Sequence, residues 1–75
     1  MINKVLNKLE IIAHRINTIK QLKNLRTDLG VEVDIRSDKT KLVIGHDPFT
    51  NYVNFNDWLA QYKHKTLILN HLYLL

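Results

Sequence analysis

The chain has 75 residues, with 11 Lys and Arg against 7 Asp and Glu, a formal net charge of +4 and no cysteine. That length allows one domain with a modest core, and the missing cysteines exclude disulfides and thiolate metal sites as staples. The apolar runs fall far short of the roughly 20 residues that cross a bilayer, and Asn7, Lys8 and Glu10 interrupt any signal-peptide core. A cytoplasmic protein without targeting segment or membrane span is therefore expected.

The positive charge is unevenly placed. Residues 1–26 hold Lys4, Lys8, Arg15, Lys20, Lys23 and Arg26 against Glu10 alone. Such a balance suits nucleic acid or anionic lipid, and equally a solvated lysine face.

In chain order, "MINKVLNK" has the composition of a frayed turn or a disordered start. "KLEIIAHR" reads as a short buried strand through its run Leu9, Ile11, Ile12 and Ala13. "NTIKQLKNLRTDLG" reads as a helix, because Ile19, Leu22, Leu25 and Leu29 recur at helical spacing. Asn17 or Thr18 would cap its start and Gly30 its end. "VEVDIR" alternates strictly, with Val31, Val33 and Ile35 on one face and Glu32, Asp34 and Arg36 on the other. "SDKT" has turn composition and "KLVIGHD" returns, which predicts a hairpin closed by Asp47-Pro48. "NFNDWLAQY" predicts a second helix capped by Asn54, with Phe55, Trp58, Leu59 and Tyr62 on one side, and "KTLILN" a final strand. The expected fold is α/β in the order β-α-β-hairpin-α-β, one domain over residues 1–75 with a small, mainly parallel sheet and the hairpin as an inserted excursion.

Ligands of such sheets bind beyond the carboxyl ends of the strands, which selects the polar residues to weigh. His14-Arg15 ends the first strand, Glu32 and Asp34 lie on the second, His46-Asp47 ends the return strand and Asn70 the last. Glu32 and Asp34 are two apart, so they share a face at roughly 7 Å. They repel one another unless a cation lies between them, and such oxygen ligands suit Mg²⁺ or Ca²⁺; the competing reading is a charged outer face on a solvated strand. His14 and His46 suit an acid–base pair or are ordinary strand-end histidines. Arg15 has the fork geometry for phosphate, or forms a surface ion pair with Asp34 or Asp47. His64 is expected to be exposed, and Phe55, Trp58 and Tyr62 to be core.

"IIAHRIN", "LGVEVDIR" and "LVIGHDPF", in this order and spacing, resemble the opening third of the glycerophosphodiester phosphodiesterase family, closest to its divergent branch of phospholipase-C-like TIM-barrel enzymes. The resemblance covers residues 9 to 70. It implies a partial (β/α) barrel fragment and metal-assisted cleavage of a small-molecule or lipid-derived phosphodiester. By the resemblance, His14 and His46 would be general acid and base, and Arg15 would hold the phosphate. Glu32 and Asp34, with Asn70 as a further candidate, would hold a divalent cation, Mg²⁺ or Ca²⁺. The sequence departs from the family pattern where Asn70-His71 stands in place of Glu-x-Lys or Asn-x-Lys, and where Ile16 replaces a common glycine. A whole barrel needs eight βα units over about 250 residues, so the expectation is a truncated or frameshifted chain, inactive alone, with residues 71–75 as a tail foreign to the fold. Its open sheet edges would favour self-association. The alternative expectation is a small basic module binding nucleic acid or anionic lipid.

Overall fold

The fold was taken from a computed structural model, which describes residues 10–46 and 52–71. The residues before 10, Asp47, Pro48 and residues 72–75 lie outside that set, and with them the expected N-terminal turn and most of the expected tail. The elements are β1 (Ile12–Ala13), α1 (Ile19–Asn24), β2 (Gly30–Asp38), β3 (Lys41–Ile44), β4 (Val53–Asn54), α2 (Phe55–Leu59) and β5 (Leu67–His71). None of the described helices is long and apolar enough to cross a membrane.

β2 organises the sheet. Its nine residues pair in parallel with β1 (Ile12 opposite Gly30) and with β5 (Val31 to Ile35 opposite Leu67 to His71), and antiparallel with β3 (Ile35 opposite Ile44). β3 in turn pairs antiparallel with β4. Two of the four described pairings are thus antiparallel, which corrects the mainly parallel expectation: the fold is α/β with a small mixed sheet. The hairpin is no excursion. The even-numbered residues of β2 turn their backbone toward the β1 edge, where the Glu32 carbonyl accepts from Ile16 N at 3.0 Å and the Asp34 carbonyl from Gly45 N at 3.1 Å. β2 is long enough to serve β1 near its start and β3 near its end along that one edge, while Val31 N donates across the other edge to Thr66 O at 2.8 Å.

Both helices pack on the face of β2 that carries Val31, Val33 and Ile35. Leu22 of α1, Trp58 of α2 and Ile44 of β3 complete this core. Thr18 caps α1 by a capping box: its side chain accepts from Gln21 N while the Gln21 side chain accepts from Thr18 N. The helix stops at Asn24, short of the predicted span. Leu25 is already extended, and the carbonyl it frees pairs with His64 Nε2 at 3.0 Å. His64 is accordingly half-buried rather than exposed.

Gly30 is the first residue of β2, not a helix cap, and has no positive φ. Its requirement is space: a Cβ there would meet Ile12 Cδ1 at 2.3 Å, Glu10 Oε1 at 2.9 Å and Thr66 O at 3.0 Å. β1 is shorter than the apolar run suggested, and Ile11 is 72% exposed, with no described element over it. The hairpin turn is tight, with Lys39 in the left-handed region at φ 57°. Asn54 caps α2 through Asp57 N at 3.1 Å; Phe55 stacks on Trp58 with centroids 6.2 Å apart, and Tyr62, beyond the helix end at Leu59, lies tilted against Trp58 at 5.6 Å.

Candidate functional site

The face of β2 opposite the core carries Glu32, Asp34 and Arg36, as the alternation requires, yet it is not a solvated outer face. Asp34 is fully buried, Arg36 is buried, and the Glu32 side chain is 23% exposed. The carboxylate of Asp34 lies between the strand exits on either side. Asn17 Nδ2 donates to its Oδ2 at 2.9 Å and Asn70 Nδ2 to its Oδ1 at 3.0 Å. Asn17 also accepts the Asp34 peptide N–H through Oδ1 at 3.0 Å. Asn70 stands opposite Asp34 in the β5 register, which places its amide there.

Both histidine-bearing segments reach the same edge of β2. His14 lies two residues before Ile16, which is bonded to Glu32, and His46 directly follows Gly45, which is bonded to Asp34. His14 Nδ1 stands 3.3 Å from Glu32 Oε1, its ring exposed to solvent. The His46 peptide is held from behind: Arg36 donates from Nε to Gly45 O at 3.1 Å and from Nη2 to His46 O at 2.5 Å. Arg15 is exposed and sits in the left-handed region at φ 54°, a conformation uncommon for a residue with a Cβ. Trp58 Nε1 donates to Ile16 O at 3.0 Å. The N–H and the carbonyl of Ile16 are therefore both anchored, and α2 holds the loop that carries His14, Arg15 and Asn17.

The site so built is an open rim. Two cavities lie elsewhere, one of about 170 Å³ beside Leu25 and His64 and one of about 290 Å³ beside Leu42 and Asn54, and no rim residue lines either. Sequence reasoning weighed Asn17 only as a helix cap and left Arg36 on an outer face. Only the register of the strand exits against β2 shows the work of each.

The donor chemistry fits a hard cation in kind, since Glu32, Asp34 and the side-chain oxygen of Asn70 are all oxygen ligands. No group of three or more His, Asp or Glu is placed to enclose an ion among the described residues. Mg²⁺ is commonly held by one or two carboxylates with water and substrate phosphate completing the sphere; here the Asp34 carboxylate is fully buried and accepts from Asn17 and Asn70 on its two oxygens. The fold and rim define an α/β domain with a buried-carboxylate edge. Comparison with protein-family models, curated proteins and solved structures returns no match.

Proposed function

We propose that the rim is part of a phosphodiester-cleaving site of the glycerophosphodiester phosphodiesterase type, acting on a small-molecule or lipid-derived phosphodiester. The observation that carries the reading is that β2 carries the partly exposed Glu32 and the fully buried Asp34 on one face, with both histidine-bearing strand exits hydrogen-bonded to the backbone of those same two residues. A divalent cation bound by Glu32 and Asp34 supplies neutralisation of the phosphoryl oxygens. His14 has Nδ1 toward Glu32 and its ring exposed to solvent. One histidine removes the proton of the attacking hydroxyl as its oxygen bonds to phosphorus, and the other protonates the leaving oxygen as the P–O bond breaks. Arg15 pairs with the phosphate oxygens. The described residues hold three parallel strands where a complete barrel has eight, so the 75 residues alone are expected to bind without turnover.

Calorimetric titration with Mg²⁺ and Ca²⁺ tests the reading. Weak binding that disappears in the Glu32→Gln, Asp34→Asn double variant supports it; no binding at millimolar cation refutes it. A second reading, a basic module for nucleic acid or anionic lipid, draws on the exposed Lys20 and Lys23 of α1 and Arg26 beyond it. Against it, Phe55, Trp58 and Tyr62 pack on one another rather than forming a platform for bases. DNA or vesicle binding that falls steeply with salt and ignores the double substitution would favour the second reading.

A further inference from the structure

We infer that the outer edge of β5 is a self-association surface, to which a second copy of this chain adds its own β5 in antiparallel; the inference stands apart from the phosphodiester reading. β5 pairs with β2 and with no other described strand. Thr66 turns its carbonyl to Val31 N. The alternation of an extended chain therefore sends the main-chain groups of Ile68 and Asn70 toward β2 and those of Leu67 and Leu69 outward. Exposed edges are ordinarily guarded by lysine, proline or a covering element. Residues 67–70 hold no charge and no proline, and the strand is open on both faces. Ile68 is 42% and Leu69 46% exposed, and Leu67 is half-buried against the core. β1 and β4, at two residues each, offer no comparable template.

The order of the residues selects a second copy as the occupant. About a two-fold axis at Ile68 the segment matches itself: Leu67 faces Leu69 of the second copy, Ile68 faces Ile68, and Thr66 faces Asn70. That register makes Leu67 and Leu69 the hydrogen-bonded pairs of the new ladder, which takes up the groups that β2 leaves outward. Ile68 falls at a non-hydrogen-bonded position, where facing side chains come closest. The leucines lie opposite Val31 and Val33 in register, so they extend the helix-covered apolar face, while the isoleucines meet on the other face. Charge sets the direction. Antiparallel pairing holds the two Lys65 residues about 20 Å apart along the strands at roughly 3.3 Å per residue, whereas parallel pairing of like with like sets them side by side. A two-fold contact closes on itself, so the product is a dimer.

The test is sedimentation equilibrium of the whole chain from about 10 µM to about 1 mM, a range suited to a contact at the small end of interface sizes, with amide hydrogen exchange read by NMR at both ends. A monomer–dimer equilibrium is expected, with the Leu67 and Leu69 amides gaining protection as the dimer fills. Ile68→Lys sets like charges face to face and is expected to weaken the dimer about tenfold or more. Leu42→Lys, on β3 and 43% exposed in the wild type, is expected to leave it unchanged. A wild type that stays monomeric at the highest concentration overturns the inference, as does open-ended assembly in place of a dimer. So does a dimer whose Leu67 and Leu69 amides gain no protection, or an Ile68→Lys protein that dimerises no worse than Leu42→Lys. Should Ile68→Lys fail to fold, as Trp58 fluorescence reports, the exchange measurement on the wild type still decides.

Discussion

Replacing Asn17 by alanine removes two hydrogen bonds on one neighbour, those to the Asp34 peptide N–H and to Oδ2. Each stranded group costs about 1–3 kcal/mol when water does not reach it. Because Asn17 itself is only half-buried, the lower half of that range applies, and the sum is about 2–4 kcal/mol. A chain of this length has a stability of roughly 4–11 kcal/mol by the usual per-residue range, so the loss is a large share of the whole. Asp34→Asn makes the opposite case. Asn17 cannot turn over, because its oxygen is committed to the residue 34 N–H, so the new amide must direct its own oxygen toward Asn17 Nδ2. Its NH₂ then faces Asn70, which rotates to present oxygen instead. Every partner stays satisfied and a buried charge is gone, so the change is expected to cost less than about 1 kcal/mol or to stabilise. Urea denaturation reads both, with the chain's single tryptophan, the fully buried Trp58, as fluorescent reporter. If Asn17→Ala is as stable as the wild type, or Asp34→Asn costs more than Asn17→Ala, the clamp does not hold Asp34 as described.

Gly30→Ala is expected to destabilise by about 1–3 kcal/mol in the same assay, the usual cost of an overfilled site. The tip of Ile12 can move, but Glu10 Oε1 and the Thr66 carbonyl are both engaged in hydrogen bonds. Glu10 supplies a pH dependence. Its carboxyl is held below the usual glutamate range, first by the Thr66 hydroxyl and then by the Thr66 N–H, with the Lys65 charge adding. Since its folded pKa is depressed, the stability it contributes is present above the unfolded glutamate pKa and lost as pH falls through the folded one. Denaturation midpoints measured across the acid range should show a slope that is shallower in Glu10→Gln; an unchanged slope would remove Glu10 as its source.

The elements with strong local signals were legible in the residues. The period-2 pattern of "VEVDIR", a turn within "SDKT" and the cap at Asn54 all rest on neighbours within a few positions, and each is present, although β2 runs on through Ser37 and Asp38 and α2 ends at Leu59, before the expected Tyr62. The helix from Ile19 was legible at its start, where Thr18 and Gln21 are three residues apart, but not at its end. Nothing local stops it at Asn24; the partner that takes the Leu25 carbonyl is His64, 39 residues on. Gly30 misled for the same reason. Its place after a leucine stripe suits a helix cap, while the demand for a missing side chain comes from Ile12 on β1 and Thr66 just before β5.

The candidate site divides in the same way. Strand alternation put Glu32, Asp34 and Arg36 on one face, a property of the extended backbone that needs no other part of the chain. Whether that face meets water was decided by the sheet. Asp34 is buried because Asn17 and Asn70, 53 positions apart in the chain, close on it from the two neighbouring strand exits. The mixed sheet was likewise outside local reach, since the side on which β3 joins β2 depends on the length of β2 beyond its pairing with β1. Short-range backbone geometry and periodicity are written in consecutive residues. Burial and hydrogen-bond partnership are properties of surfaces that meet only when distant segments pack, and for this protein those surfaces set the end of the first helix, the identity of the Asp34 partners and the direction of the sheet.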